Sequence, residues 1–154
     1  VDSNVTLNRT INLSKDVNVT LYLDMENVSS QLSGDNVTLV KVDFEDGDSD
    51  EISCGMYLNS SGNYILFTAT GESPQNPTQV STGAGVLRAY YNATNHNLTC
   101  SFNGSTVFTN NSNVSGSGEF FFSVSAHDCG PVNVSFDYIN LTNGDLTVND
   151  PFES

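Results

Sequence analysis

Apolar and polar residues alternate with a period of two along most of this chain, and no stretch keeps the 3.6-residue period of a helix. The first alternating segment puts Val5, Leu7, Ile11 and Leu13 on one face, with Arg9 among them. Asn4, Thr6, Asn8, Thr10, Asn12 and Ser14 fall on the other. The second has Val17, Val19, Leu21, Leu23 and Met25 inward, with Asn18 and Thr20 outward. Further candidate strands lie at 36–44, 52–58, 63–70, 85–91, 97–102, 105–109, 119–126, 132–141 and 145–148. Clusters of Gly, Pro, Asn, Asp and Ser separate them, as in Glu72–Thr78 and Asn110–Gly118. About ten short strands in 154 residues predict an all-β chain, an antiparallel β-sandwich of Ig-like build. The length suits one domain. Residues 1–14 form an N-terminal strand and 15–154 the body of the sandwich.

Asparagine sets the second constraint. The chain holds 20 Asn and 34 Ser plus Thr. Random placement puts Ser or Thr two positions after roughly 4 of those Asn, whereas 14 have one without an intervening proline. These N-glycosylation acceptors are Asn4, Asn8, Asn12, Asn18, Asn27, Asn36, Asn59, Asn92, Asn97, Asn103, Asn110, Asn113, Asn133 and Asn140. Asn76 is blocked by Pro77. The excess predicts a secreted, heavily N-glycosylated, extracellular or cell-surface protein. In nine of the 14 sites the middle residue is Val or Leu, so in a strand the Asn and its Ser or Thr face outward while the residue between faces the core.

Charge narrows the partners. Four Lys and Arg against 18 Asp and Glu give a formal net charge of -14, a field that repels phosphate backbones and anionic lipid. The expected partners therefore exclude nucleic acid. No apolar run approaches the roughly 18 residues of a membrane-spanning helix, so membrane insertion is not expected either. Val1 opens no charged-then-apolar leader, which fits a secreted chain whose signal peptide has gone.

Three cysteines imply one pair and a remainder. Cys54 shares its inward set with Ile52, Met56 and Leu58, and Cys100 shares its own with Leu98 and Phe102. Two inward cysteines on separate strands suit an inter-sheet disulfide. Cys129, in a turn-like His-Asp-Cys-Gly run, is the alternative partner for either.

Motifs for catalysis are missing. His127 and Cys129 have no strand-to-helix nucleophile turn, and no Cys-x-x-Cys, His-Glu-x-x-His, Gly-x-Ser-x-Gly or phosphate-cradling glycine loop occurs. The expectation is that the chain is not an enzyme and needs no organic cofactor. The acidic run around Gly47 holds Asp46, Asp48 and Asp50, alternating as calcium ligands do, although the EF-hand spacing is not met. A solvated hairpin turn accounts for the same run. Among Phe120, Phe121 and Phe122, alternation places the outer two in the core and Phe121 on the opposite face.

The segment Val5-Thr6-Leu7-Asn8-Arg9-Thr10-Ile11-Asn12-Leu13 ahead of a sandwich resembles the plan of donor-strand pilins, including the glycosylated thread subunits of archaea. That resemblance implies a structural subunit of an extracellular filament or coat that assembles head-to-tail with copies of itself and supports adhesion. Val5, Leu7, Ile11 and Leu13 would be the assembly residues, completing the sheet of the next subunit. Two other readings stand beside it. The first strand can fold back through Ser14-Lys15-Asp16 as a hairpin, and the chain can be a monomeric ectodomain that binds a ligand or receptor.

Overall fold

The computed structural model describes residues 3–25, 37–59, 61–71, 74–126 and 135–151. Strands β1 (Ser3–Asn12), β10 (Ser117–Ala126), β3 (Val37–Asp46), β4 (Glu51–Leu58), β5 (Tyr64–Ala69) and β6 (Gln75–Val80) form sheet A in that spatial order. Strands β12 (Leu146–Pro151), β11 (Ser135–Asn143), β2 (Val17–Asp24), β7 (Ala84–Asn92), β8 (Asn97–Phe102) and β9 (Ser105–Asn110) form sheet B. Every pairing is antiparallel. The chain is the expected antiparallel β-sandwich, with twelve strands among the described residues rather than about ten.

Alternation decides the core. Val17, Val19, Leu21 and Leu23 of β2 meet Val40, Val42 and Phe44 of β3 and Ile52 and Met56 of β4 in one buried cluster. Phe120 and Phe122 lie in it and Phe121 is half-buried on the opposite face, as the period requires. Cys54 on β4 and Cys100 on β8 are joined by a disulfide across the core, with Cα atoms 6.2 Å apart. Cys129 lies outside the described residues.

Two local expectations are corrected. Residues 14–16 are not the turn of a β1–β2 hairpin, because β1 lies in sheet A and β2 in sheet B. The chain changes sheets there, and buried Asn143 of β11 holds the corner by accepting from Asn12 N at 2.7 Å and donating to Asn12 O at 2.9 Å and Asp16 O at 3.1 Å. The second correction is β6, a segment with the look of a loop in the sequence. Its side chains are mostly exposed, so it shows no alternation, and Pro77 is accommodated because β6 is the edge of sheet A. Asn76 Nδ2 donates to Phe108 O at 2.8 Å, tying this edge to β9 of the facing sheet.

The candidate donor strand β1 pairs along its length with β10 of its own chain, from Ser3 opposite Ala126 to Asn12 opposite Ser117. Ile11 and Leu13 are buried in the chain's own core and Leu7 packs against it, while the Val5 side chain lies outside the described ones. Arg9, in phase with Leu7 and Ile11, is exposed at this sheet edge. A charge of this kind on an edge strand hinders a further strand from adding to it.

Candidate functional site

The glycan acceptors are distributed unequally between the two sheets. Strands β2, β7, β8, β9 and β11 of sheet B each carry one acceptor, at Asn18, Asn92, Asn97, Asn110 and Asn140. In sheet A, β3, β4, β5 and β10 contain no asparagine at all. The only acceptors on sheet A strands are Asn4, Asn8 and Asn12 along the β1 edge. Among acceptors with described side chains, Asn8, Asn12, Asn18, Asn103, Asn110, Asn113 and Asn140 are exposed and Asn59, Asn92 and Asn97 are half-buried. Asn27, Asn36 and Asn133, and the side chain of Asn4, lie outside the described set. The outer face of sheet A is therefore bare in its middle.

Register builds that face row by row. Glu119, Glu45 and Glu51 stand side by side on β10, β3 and β4, with Thr10 of β1 beyond Glu119. The next row runs Asn8, Phe121, Asp43, Ser53, Ala69, and the one after it Ser123, Lys41, Gly55, Phe67. The β4–β5 half is closed: Tyr57, Ile65, Phe67 and Ala69 form a second buried apolar cluster, with the Tyr57 and Phe67 rings 5.6 Å apart. The β1–β10–β3 half is open, with a cleft of about 420 Å³ lined by Thr10, Glu45, Glu119 and Phe121.

Asp43 sits at the boundary between the halves. Its Oδ2 is 3.1 Å from Lys41 Nζ, and its Oδ1 is buried without a hydrogen-bond partner. Burial raises the carboxyl above its ordinary value of 3.8; Lys41 opposes the rise and Glu51 adds to it. Burial likewise pushes up the Tyr57 phenol. Because the folded state binds the carboxyl proton more tightly, Asp43 favours folding below pH 3.8, and the contribution is lost as pH rises through its raised value. Asp43→Asn is expected to fold and to flatten the fall in melting temperature as pH rises above 4. Identical pH profiles for the two proteins would show that Asp43 titrates as an exposed carboxylate does.

The sequence-derived calcium candidates are placed differently. Asp46 is buried, and its carboxylate accepts from the backbone N–H of Asp48 at 2.9 Å, Asp50 at 3.0 Å and Ser115 at 3.1 Å. It closes the β3–β4 turn and ties that turn to the β9–β10 crossover. Asp48 is exposed and Asp50 half-buried, and among the described residues no three His, Cys, Asp or Glu side chains converge as a metal site requires. Lys41, Ser53 and Tyr57 were not singled out in sequence, where Asp43 counted only as one carboxylate of the acidic run. The readable signal was the polar phase of β3, where Lys41, Asp43 and Glu45 alternate with Val40, Val42 and Phe44.

No family model matches this chain, and no curated protein matches it in sequence. Solved structures do share its fold. An alginate lyase from Pseudomonas aeruginosa superposes with a TM-score of 0.59 at 14% identity, over 86% of this chain and 68% of that one. A scytalido-glutamic peptidase gives 0.58 at 18% identity, over 96% of this chain and 84% of that one. A tetrameric galectin from the sponge Cinachyrella sp. gives 0.51 at 10% identity, over 86% of this chain and 97% of that one. At these identities the likeness is one of fold.

These structures overturn the exclusion of enzymatic activity. Lyases and peptidases are built on this same sandwich. The exclusion rested on missing nucleophile turns and zinc motifs, and a sheet face can assemble acids, bases and donors from several strands without any such local motif.

Proposed function

We propose that this chain is a secreted, N-glycosylated extracellular domain that binds an extended chain-like ligand across the outer face of sheet A. The observation that carries the reading is the absence of any asparagine from β3, β4, β5 and β10, against one acceptor on each of five sheet B strands. Sugar on those acceptors, and on Asn4, Asn8 and Asn12 along the β1 edge, leaves the middle of the outer face of sheet A for contact. The similar structures are named for action on alginate and on peptides, both extended chains, or as a galectin. Here Glu45, Glu51 and Glu119 outnumber the single Lys41, which repels a polyanion and favours a neutral or cationic chain. Asp43 and the open cleft supply polar contact, and Phe121 supplies an apolar surface.

The test has two parts. The secreted protein should exceed its 16.5 kDa polypeptide mass by many glycans. Its binding to panels of neutral and cationic polysaccharides and peptides should fall about tenfold or more in Phe121→Ala and Glu45→Gln, the loss of one well-placed contact, and persist in Arg88→Ala on sheet B. An unmodified mass, or binding that Arg88→Ala abolishes and the sheet A variants leave intact, would overturn the reading.

A second reading, the filament subunit, is favoured by one observation. β1 is an edge strand whose ten-residue pairing with β10 can form equally between two copies, because exchange preserves every contact. Polymerisation and adhesion follow only if that exchange occurs.

A further inference from the structure

Among the described residues three large apolar side chains are exposed: Phe108 at 66%, Tyr90 at 38% and Leu146 at 37%. Two of them share one rung of sheet B. Register places Asn18, Tyr90, Thr99 and Phe108 opposite one another on β2, β7, β8 and β9. All four are on the outer face, since their chain neighbours Val17, Val19, Ala89, Tyr91, Leu98, Cys100, Val107 and Thr109 are buried. The next rung runs Asn92, Asn97, Asn110 on β7, β8 and β9. The two exposed rings thus stand among four glycan acceptors, Asn18, Asn92, Asn97 and Asn110.

Spacing makes the contact specific. Strands lie about 4.8 Å apart, so Asn18 begins directly beside Tyr90. Asn110 lies two residues from Phe108 on the same strand and the same face, about 7 Å along it. Asn110 Nδ2 donates to Asn95 O at 2.5 Å and to Asn97 Oδ1 at 2.9 Å. An N-linkage replaces one of its two hydrogens and leaves the other to keep one of these bonds, so the linkage starts from an anchored amide at the sheet surface. The ring faces of a pyranose carry C–H groups that pack on aromatic faces. An aromatic ring left in water among acceptors is matched by that chemistry.

We infer that Tyr90 and Phe108 form a platform on sheet B on which the protein's own N-linked sugars lie, the Asn18 sugar on Tyr90 and the Asn110 sugar on Phe108. The inference rests on the N-glycosylation proposed above and adds a structural task to the glycans: they complete the apolar surface of the sandwich. Sheet A is then the face for partners, and sheet B is occupied by the chain's own sugar.

Melting of the glycosylated protein tests this in a double-substitution cycle. Ser112→Ala removes the acceptor motif while leaving Asn110 in place, and Phe108 is exposed enough that Phe108→Ala will fold. Phe108→Ala should lower the melting temperature by about 2–4 °C where Asn110 carries sugar and by less than about 1 °C in the Ser112→Ala background. Phe108→Tyr should retain the effect. The cycle of Tyr90→Ala with Asn18→Gln should show the same coupling, the lost Tyr90–Asp16 hydrogen bond cancelling between backgrounds. Equal losses with and without sugar overturn the inference. So does peptide mapping that finds Asn110 and Asn18 bare while other acceptors are occupied, which leaves the glycoprotein reading standing. A polypeptide carrying no sugar anywhere overturns both.

Discussion

Removing residues 1–14 is expected to abolish cooperative folding, and a free peptide of the same residues is expected to restore it. The deletion exposes the inner faces that Ile11 and Leu13 cover; each fully buried aliphatic side chain contributes roughly 1.5–3 kcal/mol. Leu7 adds part of the same amount. It also strips the main-chain pairing of β10 from Ser117 to Ala126. A total of about 3–6 kcal/mol from the two buried side chains alone is comparable with the 5–15 kcal/mol by which a domain is stable. The expected readout is a lost or strongly lowered thermal transition, with aggregation through the opened groove. Titrating in the peptide should recover the transition in proportion to occupancy. A truncated chain that melts like the full one would show that β1 adds nothing to the sandwich. The same protein discriminates the assembly modes. Pairing within one chain gives a monomer at every concentration in sedimentation, whereas exchange between chains gives polymers that excess peptide caps.

Breaking the Cys54–Cys100 disulfide is the second large effect expected. The bond closes a loop of 46 residues between β4 of sheet A and β8 of sheet B. On the chain-entropy account such a closure restricts the unfolded chain by about 4 kcal/mol. For a chain of this size that corresponds to a fall of roughly 8–16 °C in melting temperature, at about 2–4 °C per kcal/mol. Cys54→Ala with Cys100→Ala should show it without added reductant, and a further loss is expected because both positions are fully buried and shrink. The double variant should still fold, since the surrounding core of Ile52, Met56, Leu98 and Phe102 is intact. A change under about 1 °C would mean that residual structure already keeps residues 54 and 100 close in the unfolded chain.

Both effects depend on contacts that join distant parts of the chain, which also explains how much could be read in advance. Period-two alternation is local, so the strands were legible one by one, and the inward phase of Cys54 and Cys100 was legible with them. The fate of Phe120, Phe121 and Phe122 followed from the same rule. Where alternation is absent the reading failed: β6, largely exposed and interrupted by Pro77, passed for a loop. The acidic run offered carboxylates in calcium-like spacing, but spacing does not reveal that Asp46 spends its oxygens on three backbone N–H groups, one of them 69 residues away.

The sequence by itself determined which residues face inward, that the chain makes antiparallel sheets, and where sugar can be attached, because each depends on neighbours one to three positions away. Only the tertiary structure decided that β1 lies against β10, that β3, β4, β5 and β10 share one sheet, and that the acceptors therefore leave one face bare. It also decided the raised Asp43 carboxyl, through burial that outweighs the neighbouring Lys41, and the meeting of Tyr90 and Phe108 on one rung. The physical reason is common to all of these. Alternation fixes the face of a side chain but not the partner of its strand, and strand pairing is chosen by the packing of the whole core.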